Sequence, residues 1–134
     1  MTARQKKAQA LSLRDAFDAE RARREMERRE REDAERRQHE QDLSGAEALF
    51  AAISADPAFL EDHELTADRR RYTVSLDHRT FRVSAYFEAG SVGVTLSDKR
   101  NAIPGAAAPR KQETVNGVED ALKVMAQFLA DEIR

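Results

Sequence analysis

The chain has no cysteine, no tryptophan and only three prolines and five glycines among its 134 residues. The absence of cysteine excludes disulfide scaffolds, thiol catalysis and zinc sites with cysteine ligands. No apolar run approaches the roughly 18 residues of a membrane-spanning helix. The start of the sequence also lacks the apolar stretch of a secretory signal. The composition therefore predicts a cytoplasmic protein that does not bind membranes.

Charge is what the chain has in excess, since 36% of its residues are charged although the formal net charge is only −2. Residues 1–42 hold 12 basic and 11 acidic residues, and residues 43–134 hold 11 and 14. Residues 18–42 carry 18 charges, and such a segment cannot bury enough apolar surface to build a core. We therefore predict two domains, a basic tail with a charged helical rod over 1–42 and a small α+β domain over 43–134.

The charges of the rod follow the spacing of a helix. Five acidic residues precede a basic residue by four positions, which is the favourable order on a helix surface. These pairs are Glu20–Arg24, Glu25–Arg29, Glu27–Arg31, Glu32–Arg36 and Asp33–Arg37. Because Ser12 and Asp15 resemble a capping box, the pattern predicts a helix from Leu13 to Gln41, about 45 Å long. A heptad seam through Leu13 and Phe17 would continue through charged residues, namely Glu20, Arg24, Glu27 and Arg31, so a coiled coil is not expected.

Three apolar residues lie near the start of the rod, namely Leu11, Leu13 and Phe17. They follow a tail whose only charged residues are basic. A short apolar stripe on a helix suits docking into a groove of a partner protein. Two alternatives remain open: the stripe folds back onto its own domain, or the rod is a solvated extension that keeps the protein soluble.

The second domain begins with helical signals. Ser44-Gly45-Ala46-Glu47 resembles a second capping box, with Gly45 ending the rod, and predicts a helix of about ten residues. Asp56-Pro57 then predicts a short further turn of helix, with aspartate as the N-cap.

The rest of the domain changes to the period of strands. Residues 72–76, 81–87 and 92–96 alternate between apolar and polar side chains, which predicts a three-stranded antiparallel meander. Residues 98–113 are expected to form a long loop, and a final helix is expected to open at Asn116. The predicted fold is α+β, a long charged N-terminal helix followed by a two-layer αβββα domain.

No sequence motif indicates catalysis or a cofactor. Nucleophile–base pairs, phosphate-binding glycine loops and dinucleotide fingerprints are all missing. The three histidines, His39, His63 and His78, lie in three different predicted elements. Although acidic residues flank His63, such a stretch is more often solvated than metal-bound. We therefore expect no enzyme activity, no cofactor and no metal.

Basic residues are predicted to gather at one end of the sheet. In an up–down–up meander, the turn between the first two strands and the exit of the third strand share that end. The residues brought together are His78, Arg79, Arg82, Lys99, Arg100, Arg110 and Lys111. Such a cluster indicates nucleic-acid binding, unless nearby carboxylates neutralise it.

The order helix, three strands, helix resembles that of double-stranded-RNA-binding domains, and His78-Arg79-Thr80-Phe81-Arg82-Val83 is similar to their first hairpin. The resemblance implies lysines at the start of the final helix that hold backbone phosphates. This chain has Val118-Glu119-Asp120 there, so the sequence does not predict membership of that family.

The sequence as a whole favours a non-enzymatic interaction protein of the adaptor or scaffold type, which binds a protein partner. The alternative is a nucleic-acid-binding protein that uses the basic end of its sheet. The expected oligomeric state is a monomer, or a weak dimer formed through the folded domain.

Overall fold

The computed structural model describes residues 12–100 and 108–133. It is an α+β structure with a long N-terminal helix, a short helix, five strands and a C-terminal helix. The elements are α1 (Leu13–Ser54), α2 (Pro57–Asp62), β1 (Thr66–Arg70), β2 (Thr73–Asp77), β3 (Phe81–Glu88), β4 (Ser91–Asp98), β5 (Ala108–Val115) and α3 (Val118–Glu132). The chain divides into two compact units between Arg37 and Gln38.

Helix α1 begins at Leu13, as predicted, because Ser12 caps it. The Ser12 hydroxyl oxygen accepts a hydrogen bond from the backbone N–H of Asp15 at 3.1 Å. The predicted break near Gly45 is wrong, since α1 continues to Ser54. Glycine inside a helix costs only about 1 kcal/mol relative to alanine, and burial of Ala46 and other apolar residues of α1 offsets this cost.

Gly45 has a packing role instead of a terminating one. A Cβ atom at this position would lie 2.8 Å from a ring carbon of Phe87, so only glycine leaves space for the ring. Phe87 is 5% exposed and belongs to the core of the second unit. The glycine that indicated a helix end is therefore a contact point between α1 and β3.

The sheet has five antiparallel strands in the order β1-β2-β3-β4-β5. Strands β2, β3 and β4 confirm the antiparallel sheet that the alternating pattern predicted, but three strands are too few. The missed strands β1 and β5 form the two edges, and β5 occupies much of the predicted 98–113 loop. The three-strand order that resembles RNA-binding domains is therefore not the order of this chain.

The edge strands lack an alternating pattern because polar residues occupy positions that face the helices. In β5, Lys111 is the register partner of Leu96 in the neighbouring strand β4, and Glu113 is the partner of Val94, so both lie on the face of the sheet that carries these buried residues. In β1, only Ala67 is apolar, and it is opposite Leu76. An edge strand needs less apolar surface than a central one, and charged side chains protect it from pairing with other chains.

The sequence also predicted where α2 and α3 begin. Helix α2 begins at Pro57 as expected, with the Asp56 carboxylate accepting from the backbone N–H of Phe59 at 3.1 Å. Helix α3 begins at Val118, with Gly117 as its N-cap at a φ of 92°, so the expected opening at Asn116 is wrong. The positive φ favours glycine over asparagine at the capping position.

The core of the second unit lies between the helices and one face of the sheet. Its buried members come from the last turns of α1, from the inner face of β2, β3 and β4, from one side of α3, and from Leu65 just before β1. The opposite face of the sheet carries hydroxyl groups, including a contact at 3.4 Å between the Ser75 and Ser84 oxygens. Tyr86, on the same face, is 45% exposed.

One buried carboxylate joins α1 to the turn between β3 and β4. Asp42 is 5% exposed and accepts hydrogen bonds from the backbone N–H groups of Ala89 at 2.9 Å and Gly90 at 3.1 Å. The side chain of Gln38 donates a third hydrogen bond at 3.1 Å. Ala89 and Gly90 both have positive φ angles, so Asp42 holds a turn whose conformation is unfavourable for alanine.

Candidate interaction sites

The predicted apolar tip is exposed where it is described. Leu13 has 86% of its surface exposed and Phe17 has 56%. The guanidinium of Arg21 lies 5.6 Å from the centre of the Phe17 ring, so one face of that ring is occupied. Leu11 lies outside the described residues. Leu13 and Phe17 are four positions apart and therefore share one face of α1.

Beyond this pair, residues 20–32 of α1 form a network of ion pairs. Glu20 accepts from both Arg23 and Arg24, and Arg23 also donates to Glu27 at 2.6 Å. The same arrangement recurs five residues later around Glu25 and Arg28. Hydrogen bonds from Arg23 and then Arg24 lower the pKa of Glu20 from 4.5 to about 2. The pKa of Glu25 is lowered for the same reason, first by Arg28.

The observed pairs differ from the predicted ones in part. Glu20–Arg24 and Glu25–Arg29 form with nitrogen–oxygen distances of 2.9 and 3.1 Å. Arg36 pairs with Asp33 at 2.8 Å, three residues away, and not with Glu32. Arg23 and Arg28 each pair with two carboxylates, because a guanidinium carries donors on several nitrogens. Sequence spacing alone therefore does not show whether an arginine pairs with the carboxylate three positions away or with the one four positions away.

At the basic end of the sheet, Asp77 binds two of the predicted cations. One of its carboxylate oxygens accepts from Arg82 at 2.6 Å and from Lys99 at 2.9 Å. Lys99 also donates to the backbone carbonyl of His78 at 2.8 Å. Partial burial opposes ionisation of Asp77, but the hydrogen bonds from Lys99 and Arg82 outweigh it, so the pKa of Asp77 is lowered.

A second group of ion pairs lies beside the first. Asp98 accepts from Arg100 at 3.1 Å and is 3.9 Å from Arg110, which also pairs with Glu132 at 3.1 Å. Hydrogen bonds from Arg100 lower the pKa of Asp98, and the bonds to Asp98 raise the pKa of Arg100. Lys111 pairs with Asp131 of α3 at 2.6 Å.

The remaining two predicted residues, His78 and Arg79, lie in the turn between β2 and β3. The His78 ring stacks on Phe81, with 4.6 Å between ring centres. Arg79 is exposed and belongs to none of the ion pairs found among residues 12–100 and 108–133. The register thus brings the predicted basic residues to one end of the sheet, and carboxylates accompany most of them.

The second unit also contains an apolar groove that the sequence does not reveal. It has a volume of about 380 Å³ and lies between the end of α1, helix α2 and helix α3. Buried Leu76 of β2 contributes to its lining. Phe59 and Leu122 also line it, and they are 43% and 38% exposed. Helix α3 contributes Leu122, Met125 and Leu129 to the lining, and no motif in the sequence marks these residues as part of a groove.

Residues 12–100 and 108–133 contain no cluster of three or more histidine or carboxylate side chains in a metal-binding arrangement. Within the same ranges, no helix is both long enough and apolar enough to cross a membrane.

Comparisons with known proteins identify no relative. No family model matches the chain, and neither a curated protein nor a solved structure matches it.

Proposed function

We infer that this chain is a non-enzymatic protein-interaction protein of the adaptor or scaffold type, which docks through the start of α1. The exposure of Leu13 and Phe17 carries this proposal. Within residues 13–37 of this helix the other side chains are mostly charged, and no other pair of large apolar residues shares a face. An apolar pair at four-residue spacing is the usual anchor of a helix that binds in a groove.

The chemistry of the expected partner follows from the residues around this pair. The segment before the pair contains only basic charges, at Arg4, Lys6 and Lys7, whereas the charges beside the pair, at Arg14, Asp15 and Asp18, are mixed in sign. A partner surface with an apolar groove for the pair and an acidic border towards the basic segment complements these residues. The partner is therefore expected to be an acidic protein and not a nucleic acid at this site.

Site-specific photocrosslinking of the full chain in native lysate tests the proposal. A photoreactive phenylalanine analogue replaces Phe17, and in a matched control it replaces Met26. Met26 is 64% exposed and lies nine residues further along α1, about 180° around the helix. We expect one discrete adduct from position 17, lost on Leu13→Ser, and no such adduct from position 26.

The opposite results would contradict the docking role. Equal adducts from positions 17 and 26 would indicate random collisions with a solvated helix. An adduct from position 17 that persists at full yield in Leu13→Ser would exclude the two-residue anchor.

A second candidate function is nucleic-acid binding at the basic end of the sheet. One observation favours it: six cations gather there against four carboxylates, which leaves an excess of two positive charges. The cations are Arg79, Arg82, Lys99, Arg100, Arg110 and Lys111, and the acids are Asp77, Asp98, Asp131 and Glu132. A phosphate would have to compete with these carboxylates, so the contact is expected to be weak.

Mobility-shift titrations with duplex DNA and duplex RNA at two salt concentrations test this second function. Binding should weaken with salt in proportion to the few phosphates that are neutralised. Arg79→Ala should reduce the shift more than a matched Arg14→Ala change in α1. The absence of any shift at low salt would exclude this function.

A further inference from the structure

The groove of the second unit is apolar at its base and open at its rim. Leu76 and Met125 are buried at 3% and 1% exposure, whereas Phe59 and Leu122 are exposed to about two fifths of their surface. The residues that line the groove are apolar except for Asp56 and His63. A small-molecule site commonly places several polar groups around a deep cavity. This open, apolar groove between helices fits apolar side chains of a partner helix better.

On the α2 side of the groove, the charged residues are all acidic. Residues 56–64 contain four acidic residues and no lysine or arginine. The acidic residues are Asp56, Glu61, Asp62 and Glu64, and none of them belongs to an ion pair found among residues 12–100 and 108–133. Asp56 is the one acidic residue in the lining, where its carboxylate also caps α2, and the exposed carboxylates of Glu61, Asp62 and Glu64 are available to cations of a partner beyond the lining.

The α3 side of the groove is electrically balanced. Lys123, next to Leu122, lies 3.5 Å from the Glu119 carboxylate, one turn earlier. A helix in the groove thus meets negative charge on one side and no net charge on the other. Such asymmetry favours one orientation, with basic residues facing α2.

We propose that this groove binds an amphipathic helix of another protein, which inserts apolar side chains against Leu76 and Leu122 and directs lysine or arginine side chains towards α2. The proposal rests on the proposed function as an interaction protein and adds a surface in the second unit. The occupant follows from the apolar lining together with the unpaired carboxylates of residues 56–64.

Fluorescence anisotropy of the full chain with designed peptides tests the proposal. The probe is a labelled leucine–lysine amphipathic helix of about 14 residues, a common helix length. A second peptide keeps the leucines and replaces every lysine by glutamate. We expect saturable binding of the first peptide, weakened by salt, and at least about tenfold weaker binding of the second, which corresponds to about 1.4 kcal/mol.

Substitutions in the chain locate the binding. Leu122→Ser should weaken the leucine–lysine peptide by about tenfold or more, whereas Tyr86→Ser on the open face of the sheet should leave it unchanged. Replacing Glu61 and Asp62 by lysine should also weaken it and reduce the salt dependence. Glu88→Lys, an exposed change in β3, is the matched control for charge. Circular dichroism of each variant verifies that it is folded.

Three outcomes would overturn the inference. Equal binding of the lysine and glutamate peptides would remove the role of charge, and wild-type binding by Leu122→Ser would remove the groove. A dimer of the peptide-free chain that Leu122→Ser dissociates, seen by sedimentation equilibrium, would show that a second copy covers the groove. A Leu13→Ser/Phe17→Ser chain should bind the peptide normally, so failure at the tip and failure at the groove are distinguishable.

Discussion

Asp42 links α1 to the turn between β3 and β4 through its side chain. Its carboxylate satisfies two backbone N–H groups in a turn where Ala89 and Gly90 both have positive φ angles. Hydrogen bonds to a charged group contribute roughly 1.5–3 kcal/mol. Asp42→Ala should therefore lower the free energy of unfolding by about 2 kcal/mol, measured by urea denaturation. Glu40→Ala, an exposed change in the same helix, should stay within about 0.5 kcal/mol of wild type, and equal effects of the two would contradict this role.

Gly45→Ala is expected to destabilise the protein, although the same replacement inside a helix usually stabilises it. Replacing a glycine inside a helix by alanine normally stabilises it by about 1 kcal/mol. Here the new methyl group would meet the buried Phe87 ring at 2.8 and 2.9 Å, and overpacking of this kind costs about 1–3 kcal/mol. We expect Gly45→Ala to lower the melting temperature of the full chain, measured by thermal unfolding. The cost should shrink in a Phe87→Leu background, and a stabilising effect would show that the ring moves aside.

At the scale of elements, the charged part of α1 should respond to acid. The pKa of Glu20 is lowered to about 2 and that of Glu25 is also lowered, because both accept hydrogen bonds from arginines in the helix. A lowered pKa in the folded state means stabilisation that is complete above the usual value of 4.5 and is lost as the pH falls towards 2.

A peptide of residues 12–37 makes this dependence measurable by far-ultraviolet circular dichroism. Its helix content should be substantial at neutral pH and low salt, and should fall between about pH 5 and pH 2. A peptide with Glu20→Gln and Glu25→Gln should lose less of its helix content over the same range. Helix content that is independent of pH in both peptides would exclude ion pairs as the source of stability.

The predictability of the elements follows their burial. Strands β2, β3 and β4 are predictable because each buries one face and so alternates apolar with polar residues. The edges β1 and β5 are not, since Arg69 in β1 and Lys111 and Glu113 in β5 occupy helix-facing positions without disturbing the fold. The Gly45 signal misleads because close packing and helix termination both require glycine.

Whether a candidate site can be predicted from the sequence depends on how close its residues lie along the chain. Leu13 and Phe17 are readable from the sequence because most of their neighbours along the helix are charged and none is a large apolar residue. The groove is not readable, since its lining comes from α1, α2, β2 and α3, which only the fold brings together. Pairing at the basic end depends partly on Glu132 and Asp131, which lie far in sequence from β3 and β4.

At the scale of the whole molecule, the chain combines two units with different sources of stability. In residues 12–37 no described side chain is buried, and arginine–carboxylate pairs recur along the helix. In the second unit, a core of apolar residues lies between helices and sheet. Docking without an ordering cost requires that the first unit be helical before a partner arrives, because an unfolded segment would have to fold on binding before Leu13 and Phe17 share one face.

Hydrogen exchange of the partner-free full chain, resolved along the sequence by mass spectrometry, tests this requirement most directly. We predict that amides of residues 17–37 exchange more slowly than in an unstructured chain but faster than those of β3 and β4. Added salt should speed exchange in residues 17–37 while leaving β3 and β4 unchanged, because it screens exposed ion pairs. Exchange of residues 17–37 at unstructured rates in low salt would contradict the preformed helix and, with it, docking of Leu13 and Phe17 without an ordering cost.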